Sequence, residues 1–332
     1  MKTILLVAAF SVLLSPPAFP QGSLTPPGPP GPTMKALDQI EPRIPIGSLP
    51  FTITQNGSYY FTKNLHFTAA SGDAITISAN NVTVDLMGFT LSSNGAVTGD
   101  AIRLNPGVRN ISIGNGAIAG TTTVTVSGSG LNQTWAVSVS GFSNGINALN
   151  TPEASSCQFS HLRISGCRLI GLNGGDQAVV EQVTASQNGS VGIRILSGSI
   201  TNSTALTNHE SGIVCNAGSV TNCVANSNAG NGIIGIGVSI SNSNSAGNGT
   251  NGISTLIGSV TNCVAASNKN AGIAVNTGSV TNSNAFGNGD DGINAPSGVV
   301  AFCKSSSNNG NNNGSADIDA AGATRTGNNP AP

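Results

Sequence analysis

Few residues in this chain are equipped for chemistry. Among 332 residues only 8% are Asp, Glu, Lys or Arg, against about a quarter in an ordinary soluble domain. One adjacent acid pair stands out, Asp290–Asp291, within Asn288-Gly-Asp-Asp-Gly292. Hydrolysis of a glycosidic bond needs two carboxylates, one as acid and one as base or nucleophile, so this pair is the catalytic candidate. The same bend elsewhere in the chain holds Gly-Thr-Asn or Ala-Gly-Asn, and solvated turn carboxylates are the plainer reading. Asp73 and Asp100 recur in Gly-Asp-Ala-Ile and are candidates for a weak cation site, again with a turn role as the simpler account. Arg163, Arg168, Arg194, His209 and Glu210, with His161 beside them, form the densest group of ionisable residues and are the candidate polar ligand patch; ordinary surface decoration is the alternative. No CxxC or Cys/His zinc spacing occurs.

The elements that must position these residues are read from a repeat. From Gly198 to about Ser297 one sentence returns every 20 residues, as in GSVTNCVANSNAGNGIIGIG and GSVTNCVAASNKNAGIAVNT. Such a period marks one supersecondary unit stacked on itself. Val180, Ile200, Val220, Ile240, Val260, Val280 and Val300 form one apolar column, and Ile193 to Ile293 form a second. A third column holds small residues (Ser203, Cys223, Ser243, Cys263, Ser283, Cys303), as a narrow interior requires. Asn188, Asn208, Asn228, Asn248, Asn268, Asn288 and Asn308 share a position before a Gly/Asn-rich bend, where stacked amides can hydrogen-bond up the pile. Gly192 to Gly292 precede the Ile column, at a corner that needs positive φ or has no room for a Cβ.

Twenty residues accommodate two or three strands of three to five residues with bends between them, too little for a strand plus a long helix. The mixture of Gly, Asn, Ser, Val and Ile is helix-poor. Successive coils then pair as parallel strands, about 4.8 Å apart along the axis. The expectation is an all-β chain, a parallel β-helix of about ten or eleven coils. In its "V-x-N-C-x-A-x-x-N…G-I-x-V" coils the chain resembles the bacterial secreted right-handed parallel β-helix proteins of the pectate-lyase-like fold, over roughly residues 70–310. The resemblance implies right-handed coiling. It also raises cleavage of acidic polysaccharides, by lyase chemistry with Asp-bound calcium and an Arg base, or by hydrolysis with clustered Asp residues. Asp290–Asp291 matches the Gly-Asp-Asp of the polygalacturonase-like hydrolases, but their Asn-Thr-Asp, His-Gly and Arg-Ile-Lys motifs are absent.

The remaining segments read in order. Residues 1–22, with Lys2, the apolar run Ile4–Leu14 and Ser15-Pro-Pro-Ala18, have the layout of a secretory signal, too short to span a bilayer. A Pro-rich linker occupies 23–33, a capping segment 34–71, the β-helix 72–319 and a disordered tail 320–332. Early coils are longer, about 27 residues, and Thr121–Thr134 is an insertion or protruding hairpin, a favoured place for binding on an otherwise flat wall. Cys223, Cys263 and Cys303 lie in alternate coils, about 9.6 Å apart at that rise, so buried thiols are expected there. Cys157 and Cys167 are left as a candidate local pair.

A formal net charge of −1 gives no footprint for nucleic acid or an anionic membrane. The lack of a charged cleft argues against catalysis, and the scarcity of Trp and Tyr against sugar stacking as the main mode. With the N-terminal signal, the expectation is a monomeric, secreted or envelope-associated protein with a non-catalytic binding or structural role toward extracellular glycans or cell-surface proteins. A polysaccharide lyase or hydrolase of the same fold is the alternative. A more remote one is an ice-binding wall built on Thr201, Thr221, Ser241, Thr261 and Thr281. No cofactor is expected, calcium entering only with the lyase reading.

Overall fold

Alternation of buried and exposed residues in short Val/Ile-rich stretches produces strands, and the 20-residue period stacks each on its counterpart. The computed structural model describes residues 42–95, 97–148, 154–308, 317–320 and 324–327. The signal and linker segments therefore lie outside the described residues. Parallel pairing runs continuously through the coils, and one separate antiparallel hairpin, Thr123–Ser127 with Thr134–Ser138, stands apart from them.

Each coil has three faces. On the first, Phe51, Ile75, Ile102, Ile146, Leu172, Ile193 and then every twentieth residue to Ile293 stack in register, ending at Ile318. On the second, Tyr59, Val84, Ile113, Phe159, Val180 and Ile200 lead to Val300. On the third, Leu65, Leu91, Ile118 and Ile164 give way to Ala185, Ala205 and Ala225. These columns line one continuous apolar interior. The second and third faces meet at a left-handed residue, with φ near +50° at Asn202, Asn222, Asn242, Asn262 and Asn282. Asn is the L-residue that tolerates this region best, because its short side chain bonds locally.

From Asn188 to Asn288 the Asn column of the bends is fully buried. Asn208 Oδ1 accepts both the backbone N–H and the Nδ2 of Asn188, and Asn228 Oδ1 accepts the same pair from Asn208. The pattern continues to Asn308. The glycine before the Ile column follows from this ladder. A Cβ on Gly212 would lie 2.6 Å from Asn228 Nδ2, and one on Gly252 2.5 Å from Asn268 Nδ2. Close approach, not positive φ, keeps that column glycine.

Two boundaries differ from the sequence reading. Coils begin before residue 72: Ile44–Ile46, Phe51–Ile53, Gly57–Phe61 and Leu65–Phe67 already pair in parallel as a first turn, with Phe61 and Phe67 filling its interior. The tail also carries structure. Thr324–Thr326 pairs with Val299–Ala301, because the last coil offers an open strand edge that polar residues pair with as readily as apolar ones. All six cysteines are free and buried, so Cys157 and Cys167 are not joined. Burial pushes the thiols of Cys157, Cys215, Cys223 and Cys263 up to about 11. Among the described residues no helix is long and apolar enough to cross a membrane.

Candidate functional site

The outward-facing residue that follows each first-face Ile or Leu forms a column of its own. Thr76, Arg103, Asn147, Asn173, Arg194, Val214, Ile234, Ser254, Ala274 and Asn294 are neighbours in register. Its first half is polar. Asp100 is buried and accepts hydrogen bonds from the Asn144 N–H (3.1 Å), Asn144 Nδ2 (2.7 Å) and Asn147 Nδ2 (2.8 Å). Asn147 Oδ1 accepts from Asn173 Nδ2 at 3.3 Å. Asn173 is 7% exposed, and its own Oδ1 has no hydrogen-bond partner. Arg103 and Arg194 bracket the two amides in the column, three coils apart, about 14 Å at the usual strand spacing. Asp73 accepts the Asp100 N–H at 2.8 Å and lies 3.9 Å from the Arg103 guanidinium.

The second half is apolar. Two residues further along each strand stand Asn216, Ile236, Leu256 and Asn276, and between the two outward columns runs a trough of about 430 Å³. Val214, Ile234, Ile236, Leu256 and Ala274 supply its aliphatic walls and Asn294 closes one end. It spans four coil steps, about 19 Å. Its floor at Gly235 is backbone, in a column whose side chains, such as Cys215 and Thr255 in the neighbouring coils, face the interior. The missing side chain is replaced in the interior by Val238, which turns inward where Gly218 and Gly258 stand; a Cβ on Gly235 would lie 2.4 Å from Val238 Cγ1.

The residues singled out by sequence divide among these faces. Arg194 belongs to the outward column of the first face. Arg163 is exposed on the third, opposite Ala117 and Thr184. His161 occupies the left-handed corner, with φ 54°. Arg168, His209 and Glu210 lie in the bends: Arg168 donates to Val97 O (3.2 Å), the His209 N–H to Asn188 O, and Glu210 accepts from Ser190 Oγ (2.6 Å). The five are thus not brought together, since alternation along a strand sends neighbours in sequence to opposite sides. Asp291 accepts from Asn294 Nδ2 at 2.6 Å, at the closed end of the trough, and Asn294 is in register with Asp319. The Asp290 N–H donates to Asn270 O within the stacked bends.

Asp73 and Asp100 do not fit a calcium cage. Their oxygens are committed to N–H donors, and burial, with a smaller contribution from Asp73, raises the Asp100 carboxyl above its ordinary value. Among the described residues no three His, Cys, Asp or Glu side chains come together as metal ligands. Sequence reasoning missed Arg103, Asn147 and Asn173. Their common signal is the position directly after the Ile or Leu column, at Ile102, Ile146 and Leu172.

The insertion forms the hairpin noted above and lies over the bends. Trp135 Nε1 donates to Ser227 O at 2.7 Å, and Lys269 Nζ stands 5.3 Å from the indole centroid. Tyr59 is buried and Tyr60 lies beneath Arg43. No Trp or Tyr lines the trough.

No protein-family model matches the sequence, and no curated protein is similar to it. Among solved structures, the A-module of Azotobacter vinelandii mannuronan C-5 epimerase AlgE6 is similar, with a TM-score of 0.58 and 16% identity over 83% of this chain and 91% of that one. The catalytic domain of a GH87 α-1,3-glucanase in complex with nigerose has a TM-score of 0.53 and 13% identity, over 86% of this chain and 63% of that one. This chain thus spans less than two thirds of the glucanase domain. Both neighbours are enzymes by name, and this corrects the expectation of a non-catalytic binding or structural wall; neither that reading nor the ice-binding one is carried forward. What the likeness establishes for this chain is its architecture: it is a right-handed parallel β-helix with the pectate-lyase-like fold.

Proposed function

We propose that this protein is a secreted enzyme acting on an acidic polysaccharide that lies lengthwise along the first face. The observation that carries the reading is the run Arg103, Asn147, Asn173, Arg194, which leads in register into an axial trough. A linear polymer fits a site built on a stacked sheet because each coil offers the same position about 4.8 Å further on, close to the length of one sugar unit. The guanidiniums supply the charge-assisted, two-pronged hydrogen bonds that carboxylates of uronic acids accept. The mannuronan and glucan named for the two neighbours support a polysaccharide as the class of substrate. Export is supported by Lys2 and the apolar run Ile4–Leu14.

A hydrolytic variant of this reading has one observation in its favour. Asp291, bonded to the trough residue Asn294, and Asp319, in register with Asn294, place two carboxyl groups at one end of the trough. Elimination leaves an unsaturated sugar at the new end, whereas hydrolysis consumes water and leaves a saturated reducing end. The test is incubation of the mature protein with a panel of uronic-acid polysaccharides, following unsaturated ends, reducing ends and, by NMR, epimerised units. Turnover is expected on at least one, with kcat/KM reduced about tenfold or more by Arg194→Ala through loss of a charge-assisted pair. Loss on Asp291→Asn with saturated products selects hydrolysis. Absence of both turnover and binding across the panel sinks the proposal.

A further inference from the structure

We infer that the apolar half of the trough selects polysaccharides whose units carry methyl-bearing substituents: acetyl esters, acetamides or the methyl of a 6-deoxy sugar. This rests on the reading that an acidic polysaccharide lies along the first face. Unsubstituted sugars bind protein chiefly through hydroxyls and by laying a ring on an aromatic side chain. Neither fits here. Trp135, Tyr59 and Tyr60 are all engaged elsewhere, and the trough walls are aliphatic.

Ile236 and Leu256 remain 51% and 49% exposed, large apolar residues flanked in their column by the amides Asn216 and Asn276. Between Ile234 and Ile236 the outer floor is backbone, because position 235 faces the interior, where Val238 takes the room a side chain on Gly235 would fill. The recess is shaped by outward aliphatic side chains of two adjacent coils, Ile234 and Ile236 in one and Leu256 in the next. It is continuous with the polar run, since Arg194 is directly in register with Val214. A single chain crossing both halves presents its carboxylates to Arg103 and Arg194 and its small apolar groups to Ile234, Ile236 and Leu256.

The experiment compares an O-acetylated uronan with the same polymer after mild alkaline deacetylation, measuring Kd for the wild type, Ile236→Asn, Leu256→Asn and Arg194→Ala. The Asn substitutions install the residue that adjacent coils already carry, and thermal melting checks that each variant is folded. The wild type is expected to bind the acetylated form about tenfold more tightly, because each methyl taken from water contributes several-fold. Ile236→Asn and Leu256→Asn are expected to remove that preference, and Arg194→Ala to weaken both forms alike. An N-acetylated acidic glycan and one containing a 6-deoxy sugar form two further arms, and the arm whose preference the Asn variants abolish identifies the source of the methyl. Equal affinity of the wild type for substituted and unsubstituted forms in every arm overturns the inference while leaving the polysaccharide reading intact; so does a preference that the Asn variants retain. Failure to bind any arm overturns both.

Discussion

The coils up to Ser186 and those from Ile193 onward fill the same shaft in different ways. In the early coils the third face is lined by Leu65, Leu91, Ile118 and Ile164, and the corner before the first face holds Ala74 and Ala101, then Gly145 and Gly171. In the later coils that lining shrinks to Ala205, Ala225, Ala265 and Ala285, and the corner is glycine throughout. A Cβ on Gly252 would meet the Ala265 Cβ at 3.1 Å as well as the ladder amide. The early coils are held by apolar bulk; the later ones exchange bulk for a buried amide ladder and approach more closely. Arg103, Asn147, Asn173 and the hairpin belong to the early half, and Arg194 opens the later one. The later half is the ruler on which the trough is laid.

The largest effect is expected from breaking the ladder. Asn228→Ala removes the acceptor of the Asn208 N–H and Nδ2 and the donor to Ala205 O, leaving buried polar groups unpaired. At about 1–3 kcal/mol for each unsatisfied group, a loss of roughly 3 kcal/mol or more is expected in urea denaturation; a loss below about 1 kcal/mol would mean the ladder is ornamental. Gly252→Ala tests the tighter approach of the later coils and is expected to cost about 1–3 kcal/mol by overpacking. The reverse exchange in the early half, Ala101→Gly, should cost only about 1 kcal/mol, mostly through chain entropy. Equal costs would erase the distinction between the halves.

The smallest effect concerns the buried Asp100 carboxyl of the early half, which accepts the N–H and Nδ2 of Asn144. Burial raises the Asp100 carboxyl above its unfolded value, so the folded state holds the proton over a range in which the unfolded chain has released it. Its contribution to stability is therefore greatest below the unfolded pKa, about 3.9, and is lost as pH rises through the folded value. Asp100→Asn keeps an acceptor for Asn144, as in the later ladder, and has no charge to desolvate. Melting temperatures of the two proteins should diverge in favour of the variant as pH rises from about 4; parallel curves would show that the charge costs the fold nothing.

Much of the architecture was legible because the 20-residue period is written in side chains with one physical task each: Ile213 and Val220 must face inward, Asn228 must find another amide, and Gly212 must leave room for it. The candidate site was far less legible. Arg163 and Arg194 were grouped in one candidate patch, yet they lie on different faces of the coil. Arg103, Asn147 and Asn173 were hidden because the spacing along their column is 27, 44, 26 and 21 residues from Ile75 to Ile193 before it settles at 20. The 44-residue step contains the Trp135 hairpin, which sequence placed as an insertion without showing that it folds back onto the bend at Ser227.

By itself the sequence determined that this chain stacks and which residues line the inside, because burial and amide pairing repeat with the chain's own period. Only the tertiary structure decided which outward residues become neighbours. Loops of unequal length bulge out of the coil without disturbing the parallel hydrogen bonds, so register is fixed by the stacked backbone and not by distance along the chain. That register sets Arg103, Asn147, Asn173 and Arg194 in one line and leads them into the trough beside Val214.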